Sequence, residues 1–162
     1  MIVQASQRRT EENREQLLFA VSTGESLPLA DGSADIVFSN FVLHYFPETS
    51  AVVSEIARVL KEGGHFVGTF NVTDVDEGFE HLYNTPMPIR LGQGSDSIVV
   101  QNLIKSRTEL EDALKQANLI VLKEEELEHP NAAVDSSYLL KDRIHKHAVL
   151  FVLQKTAQQE AQ

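Results

Sequence analysis

The sequence predicts a single α/β domain with an open, mostly parallel β-sheet and flanking helices. Apolar runs of strand length alternate with amphipathic helical patterns, as in sheets whose strands are joined by helices. The run Leu17–Val21 is unbroken, which is typical of a strand covered on both faces. The length of 162 residues suits one domain, which we expect to span residues 1–155, with a disordered polar tail at 156–162.

The first half of the chain predicts a helix, two strands and a second helix, in that order. Residues 1–13 contain neither Gly nor Pro and predict the first helix. The apolar runs Leu17–Val21 and Ile36–Phe38 predict strands. From Pro47 to Lys61 the apolar side chains recur at helical spacing, and Gly63-Gly64 supplies a left-handed stop for that helix.

The second half predicts three strands, a helix and a long irregular segment. The strand Phe66–Phe70 is followed by residues 72 to about 105, which are rich in Pro and Gly and predict no regular element. The apolar runs Leu119–Leu122 and Ala148–Leu153 predict the last two strands.

A capping motif marks the start of the helix before Leu119. Ser106 and Glu109 have the spacing of a capping box, in which each side chain accepts a hydrogen bond from the other residue's backbone N–H. An apolar stripe from Leu110 to Ala117 indicates the buried face of this helix. Asn118 suits its left-handed end.

The charge balance and the residue types exclude several classes of function. With 14 Lys and Arg against 24 Asp and Glu, the formal net charge is −10, and no basic cluster favours binding to nucleic acid. The absence of cysteine excludes disulfides and thiolate metal sites. No apolar run approaches the ~20 residues that cross a bilayer, and the N-terminus lacks the pattern of a secretory signal. We therefore expect a cytoplasmic protein without a membrane or nucleic-acid partner.

Two polar clusters have both a functional and an ordinary interpretation. His145-Lys146-His147 has a common spacing and no nearby acid, so we predict a solvated basic turn and no metal site. His81, Tyr83 and Asn84 lie in the irregular segment, where they either line a lid over a substrate or pack as ordinary loop residues.

Two segments follow predicted strands at the place where sheets of this class bind ligands. They are Ser22–Leu29 and Ser39–Phe46. In open α/β sheets, ligands bind beyond the carboxyl ends of the strands. Each segment equally fits a plain connection between elements, because its residue types also suit turns.

Four motifs occur in a fixed order across these segments and the helix that follows. They are Glu25-Ser26-Leu27-Pro28-Leu29, Asp31-Gly32-Ser33-Ala34-Asp35-Ile36-Val37, Leu43-His44 and Glu55-Ile56-Ala57-Arg58-Val59-Leu60-Lys61-Glu62-Gly63-Gly64. Together they resemble the middle of class I S-adenosylmethionine-dependent methyltransferases, and within that family the group that acts on small molecules. The resemblance covers about residues 17–71, and the chain after Thr108 is also similar to the family's C-terminal portion. It implies a Rossmann-like fold and S-adenosylmethionine as the cofactor.

The resemblance implies that the first segment contacts the adenine of the cofactor. Thr23 and Gly24 occupy the adenine-binding position, and Glu25, the acid of the first motif, belongs to the same cofactor-binding set. The family usually has Asp where this chain has Thr23. A threonine hydroxyl can accept from the adenine amine, but without the charge that strengthens such a bond.

The resemblance implies that the second segment surrounds the methyl group. Asn40 matches a position that touches the methionine part of the cofactor, and Phe41 would help to wall the methyl group's surroundings. His44 matches the family's Leu-His pair and is the candidate catalytic residue, as a general base or as a group that orients the substrate. A histidine hydrogen-bonded to nearby backbone fits the same pattern.

The front end of the family pattern is not found in this sequence. No glycine-rich loop follows a first strand, and no second strand ends in an acid for the ribose hydroxyls. We therefore expect a Rossmann-like, mostly parallel sheet lacking the first two strands of the methyltransferase fold. The family's strand order, three-two-one-four-five-seven-six, then leaves Leu17–Val21 and Ile36–Phe38 without their usual neighbours. Either these strands pair directly, or a second copy or a complementing chain covers the exposed sheet edge.

By the resemblance, the chain transfers a methyl group from S-adenosylmethionine to a small-molecule acceptor. The alternative is a non-catalytic remnant or interaction module that cannot bind the cofactor alone. Another doubly wound nucleotide-binding protein, such as a dehydrogenase, is disfavoured because the sequence has no phosphate-binding glycine-rich loop.

Overall fold

The computed structural model describes residues 16–75, 77–91, 98–127 and 144–157. The helix predicted at residues 1–13 lies outside these ranges. The described strands and α-helices are, in chain order, β1 (Ala34–Asn40), α1 (Thr49–Val59), β2 (Leu60–Val75), β3 (Pro86–Leu91), β4 (Ile98–Leu103), α2 (Arg107–Gln116), β5 (Leu119–Leu127) and β6 (Ile144–Lys155). Single turns of 3-10 helix lie at Leu43–Tyr45 and Glu80–Leu82.

Four strands form one sheet in the order β1-β2-β6-β5. Strand β1 is parallel to β2, whereas β6 is antiparallel to both β2 and β5. Three of these four strands therefore point the same way, which confirms the mostly parallel sheet. The order matches the four-five-seven-six part of the methyltransferase strand order. Strands β3 and β4 form a separate two-stranded hairpin.

The predicted strand at Leu17–Val21 is wrong. The segment has no regular structure, and all five of its residues are exposed, up to 86% at Leu18. A strand needs a neighbour to pair with its N–H and C=O groups, and no strand in the described ranges pairs with this segment. Direct pairing of Leu17–Val21 with the Ile36–Phe38 strand, now part of β1, is likewise wrong.

Helices α1 and α2 pack together over one face of the sheet. Each helix buries the apolar stripe that the sequence predicts, and the large aromatic side chains of β2 and β6 fill the space below them. Phe70 packs edge-on against both Phe66 and Phe151, with ring centroids 5.9 and 5.6 Å apart. This buried layer holds β1 and β2 in place and so fixes where their carboxyl ends lie.

The capping prediction for α2 is half confirmed. Ser106 Oγ accepts a hydrogen bond from the Glu109 N–H at 3.1 Å, and Asn118 has the expected left-handed φ of 55°. The second half of the capping box is not formed: the carboxylate of Glu109 accepts hydrogen bonds from Lys105, Thr49 and Asn84 in place of the Ser106 N–H.

Three other expectations need correction. Strand β2 extends to Val75, and residues 86–103 of the segment predicted to be irregular contain the β3–β4 hairpin. The backbone of residues 145–147 pairs with β2, so it forms part of β6 and not a turn. Thr156 donates its backbone N–H to Asn118 O at 3.0 Å, so the tail begins with an ordered residue; residues 158–162 lie outside the described ranges.

The sheet has an exposed apolar edge region on β1. Ile36 is 65% exposed and Phe38 is 67% exposed, while the intervening Val37 packs on the core. In the described part of the chain β1 pairs with β2 alone.

Candidate functional site

The carboxyl end of β1 carries the first group of predicted site residues. Asn40 is the last residue of β1 and lies opposite Thr69 in the register with β2. The Thr69 hydroxyl donates to Asn40 Oδ1. Because Thr69 donates to the carbonyl oxygen of this carboxamide, the Nδ2 group of the exposed Asn40 is its remaining hydrogen-bonding group, and it is a donor.

The chain turns sharply at Phe41, directly after Asn40. Phe41 has a φ of 51°, a left-handed conformation that is rare for an aromatic residue. Its backbone N–H donates to both Thr69 O (3.0 Å) and Thr69 Oγ1 (3.1 Å), which holds the turn in place. Strained backbone of this kind concentrates at functional sites, so the conformation itself marks this turn as a candidate.

The second group of site residues forms a tight turn that packs against the loop after β1. Thr23 and Ser26 close the turn by a backbone bond from the Ser26 N–H to Thr23 O at 3.3 Å. Gly24 lies against the Phe46 ring so closely that a Cβ atom would be 2.6 Å from Phe46 Cζ. Thr23 and Glu25 are exposed. The contact between Gly24 and Phe46 brings the turn to the loop that continues from Asn40 and Phe41.

A charged pair on α1 ties the chain that follows this turn to the core. Glu55 Oε1 accepts from the Leu27 N–H at 2.7 Å, and Arg58 donates to both Glu55 oxygens at 2.7 Å. Arg58 also donates to Leu29 O at 2.9 Å and to Asp31. The hydrogen bonds from Arg58 and then from the Leu27 N–H lower the pKa of Glu55 from 4.5 to about 2. The same pairing, first with Glu55 and then with Asp31, raises the pKa of Arg58 above its ordinary value.

His44, the candidate catalytic residue, lies in the 3-10 turn Leu43–Tyr45. Its side chain is only 5% exposed, and its ring lies 4.2 Å from the Tyr45 ring between centroids. His44 is therefore largely closed to solvent in this structure. Strand β4 of the hairpin is among the elements in contact with this turn.

The structure thus brings together both predicted groups, while their roles stay predictions. Asn40, Phe41 and His44 lie on one continuous loop, and the Thr23–Ser26 turn adjoins it through Gly24. Sequence reasoning missed Thr69, because only the register between β1 and β2 reveals that it faces Asn40.

The clamp formed by Glu55 and Arg58 could have been found from the sequence. Opposite charges three residues apart on a helix are neighbours, and both residues lie inside one of the motifs that carry the resemblance. Its target, the chain after the Thr23–Ser26 turn, is a tertiary contact that helical spacing does not reveal.

The residues considered for a lid have separate positions. Asn84 has a left-handed φ of 59° and donates its side-chain amide to Glu109 at 3.1 Å. Tyr83 is half-buried and packs on a small apolar cluster with Ile104, whereas His81 is exposed. Only Asn84 joins a polar network that reaches other elements.

Neither a metal centre nor a membrane span is found where the structure is described. Within residues 16–75, 77–91, 98–127 and 144–157, no group of three or more His, Cys, Asp or Glu side chains could hold a metal ion. No helix in the same ranges is long and apolar enough to cross a membrane.

Comparison with known proteins agrees with the motif order and the strand order. A family model described as a methyltransferase domain matches residues 1–68. The chain is 34% identical over 109 residues to an uncharacterized chloroplastic methyltransferase of Arabidopsis thaliana, covering 67% of this chain and 29% of that protein. It is 39% identical over 99 residues to the uncharacterized methyltransferase YcgJ of Bacillus subtilis (strain 168), covering 59% of this chain and 39% of YcgJ. The chain therefore spans between 29% and 39% of the length of these relatives.

The fold is also similar to that of solved methyltransferases. One is geranyl diphosphate C-methyltransferase from Streptomyces coelicolor A3(2), whose crystal structure contains Mg²⁺, geranyl diphosphate and S-adenosyl-L-homocysteine. The TM-score is 0.55 at 16% identity, over 85% of this chain and 52% of that chain. At this identity the likeness shows the fold alone. The match to the methyltransferase-domain model, the two curated methyltransferases, the motif order and the strand order together support a class I S-adenosylmethionine-dependent methyltransferase domain.

Proposed function

We propose that this chain contributes the adenine side and the methyl side of a methyltransferase site that uses S-adenosylmethionine and a small-molecule acceptor. The observation that carries the proposal is the packing of Gly24 on Phe46, because it joins the Thr23–Ser26 turn to the loop after Asn40. Both segments then adjoin each other beyond the carboxyl end of β1, the region where ligands bind in such sheets.

The donors and acceptors at this edge fit the chemistry of the cofactor. The exposed Thr23 hydroxyl can accept from the adenine amine, and the Asn40 Nδ2 group can donate to an oxygen of the methionine part. When bound, the cofactor supplies a sulfonium-activated methyl group. The hydrogen bond from the Thr69 hydroxyl holds the Asn40 side chain in place before any ligand arrives, and such preorganisation lowers the cost of binding.

Methyl transfer asks the protein mainly to orient two reactants and to exclude water. Proximity and orientation can contribute roughly 7–11 kcal/mol to lowering a barrier. His44 is the residue that we assign to orienting the acceptor or taking its proton, because it matches the family's Leu-His pair and its turn contacts β4 of the hairpin. The net charge of −10 supports an acceptor other than nucleic acid.

Isothermal titration calorimetry with S-adenosylmethionine and with S-adenosylhomocysteine tests this proposal on the 162-residue chain. We expect binding below millimolar ligand and about a fivefold loss of affinity in Asn40→Ala, since one hydrogen bond is removed. The matched control Gln116→Ala removes an exposed carboxamide at the end of α2 and should bind like the wild type. Absence of binding at millimolar ligand would instead support the remnant or interaction module.

The exposed edge region of β1 supports a partner role as well. An unpaired strand edge with exposed apolar side chains recruits other chains, so we propose that a second copy or a complementing polypeptide covers β1. The predicted cytoplasmic location stays a prediction, and one similar plant protein is named chloroplastic.

A further inference from the structure

A buried lysine connects three separate parts of the molecule. Lys105 follows β4 and is only 5% exposed. Its ammonium group donates to Pro47 O at 2.7 Å, to Glu109 Oε1 at 2.8 Å and to Asn84 Oδ1. A lysine ammonium has three N–H donors, and each of them here reaches a different segment.

Glu109 extends this network to the start of α1. One oxygen, Oε1, accepts from Thr49 Oγ1 at 2.7 Å as well as from Lys105. The other oxygen, Oε2, accepts from Asn84 Nδ2 at 3.1 Å. The carboxamide of Asn84 therefore bridges both members of the ion pair, which makes the cluster a closed set of hydrogen bonds.

The segments that this cluster joins flank the candidate catalytic residue. Pro47 and Thr49 follow the 3-10 turn that carries His44, and we call residues 42–48 the His44 loop. Asn84 precedes β3, and its N–H donates to Ile104 O at 2.8 Å just after β4. We call Asn84 and residues 104–105 the hairpin root, because they close the base of the β3–β4 hairpin.

Stability is a weak explanation for this ion pair, in which the Lys105 side chain is 6% exposed and that of Glu109 is 27% exposed. Replacing both members of such a pair by well-packed apolar residues is often neutral or stabilising. What an ion pair with several fixed hydrogen bonds adds is a single allowed geometry. Here that geometry sets the His44 loop relative to the hairpin root.

We propose that Lys105 is a positioning residue that holds the His44 loop and the hairpin root in one fixed arrangement. An acceptor bound against the β3–β4 hairpin then meets His44 in a constant orientation. The reference to an acceptor rests on the proposed function, whereas the coupling of the two segments is a property of the chain itself. An experiment can therefore contradict the proposed function without contradicting the coupling of the two segments, and the reverse.

Hydrogen exchange on the ligand-free chain tests the coupling. In Lys105→Met we expect the amides of Tyr45, Phe46 and Asn84 to exchange about tenfold faster or more, since a hydrogen-bonded charge is lost. Amides in the β2–β6 ladder should change less than these three. Lys115→Met is the matched control, because Lys115 is an exposed lysine of α2 outside the ion pairs found among the described residues.

A double variant separates positioning from plain stability. Lys105→Met/Glu109→Leu removes both charges, so we expect its melting temperature to recover relative to Lys105→Met while Tyr45 and Phe46 still exchange fast. Wild-type exchange at these amides in the double variant, or equal acceleration throughout the β2–β6 ladder in Lys105→Met, would overturn the proposal.

Two further measurements keep the proposal and the proposed function distinguishable. If Lys105→Met does not fold, Asn84→Gly is the second variant, because it keeps the left-handed backbone and removes the bridging carboxamide. It should accelerate exchange at the same amides. Unchanged exchange there would contradict the coupling. Failure of the wild-type chain to bind S-adenosylmethionine would contradict the proposed function and leave the exchange result valid.

Discussion

At the scale of single residues, the candidate site depends on a few side chains whose type determines what they can bind. Thr23 is the clearest example, because it occupies a position where the family usually has Asp. Its hydroxyl is exposed at the Thr23–Ser26 turn and offers a neutral acceptor. A carboxylate at the same place would offer a negatively charged hydrogen-bond acceptor.

Thr23→Asp should therefore strengthen binding of S-adenosylmethionine. We expect about a fivefold lower Kd by calorimetry, near 1 kcal/mol, because charge-assisted hydrogen bonds are stronger than neutral ones. Ser54→Asp places the same charge on the exposed side of α1 and should leave the Kd unchanged. An unchanged Kd in Thr23→Asp would mean that the turn does not contact the adenine.

Single residues were predictable from the sequence where a motif contains them. Thr23, Asn40 and His44 could be proposed because they stand at fixed places in an ordered pattern. Thr69 could not, because its partners Phe41 and Asn40 lie 28 and 29 positions away. For Lys105 the sequence suggests only the pairing with Glu109 four residues on, whereas its contacts with Asn84 and Pro47 span 21 and 58 positions. Such contacts depend on strand register and helix packing, which local patterns do not encode.

At the scale of elements, the Glu55–Arg58 clamp shows how α1 orders a loop that has no regular structure. Glu55 is ionised throughout the ordinary pH range, because its hydrogen bonds with Arg58 and Leu27 hold its pKa near 2. A lowered pKa means that the carboxylate contributes stability above its ordinary pKa of 4.5 and loses that contribution as the pH falls toward 2.

The Leu27 amide should report this titration directly. In NMR spectra recorded from about pH 6 to about pH 1, which bracket both pKa values of Glu55, we expect its proton shift to change only near the acid end. Arg58→Met should move the midpoint up toward 4.5, the ordinary value for Glu55. Lys61→Met is the control, since Lys61 pairs with Asp35 and not with Glu55. A midpoint unaffected by Arg58→Met would contradict the clamp.

Elements were predictable where their own residues supply the hydrogen bonds. Helix α2 follows from the Ser106 cap and the left-handed Asn118, both of which are local. Leu17–Val21 has the composition of a strand but does not form one, because a strand needs a neighbour. The β3–β4 hairpin was missed for the opposite reason: its prolines argue against a strand interior, yet they fit a two-stranded ribbon with free edges.

At the scale of the whole molecule, one face of the sheet is covered by helices and the β1 region is open. The strand order was predictable only through the family resemblance, because the apolar runs alone do not say which strands are neighbours. Ile36 and Phe38 are about two-thirds exposed, at 65% and 67%. Adjacent apolar side chains exposed to this extent mark interaction surfaces.

The isolated chain should therefore self-associate through β1. Size-exclusion chromatography with light scattering should give a mass that rises above the monomer value with concentration, because association buries Ile36 and Phe38. Ile36→Lys/Phe38→Glu should remain monomeric. Leu29→Lys, at an exposed apolar residue in a loop outside the sheet, should still associate. A wild-type chain that stays monomeric at all concentrations would exclude a second copy as the partner.

The close approach of Gly24 to Phe46 also constrains how the site can evolve. The two positions share a single volume, since a Cβ atom at 24 would lie 2.6 Å from the ring at 46. Bulk gained at one position has to be given up at the other, so a larger residue at 24 requires a smaller one at 46. Divergence of the Thr23–Ser26 turn is thereby tied to that of the loop after β1, and homologous chains should show paired substitutions at these two sites.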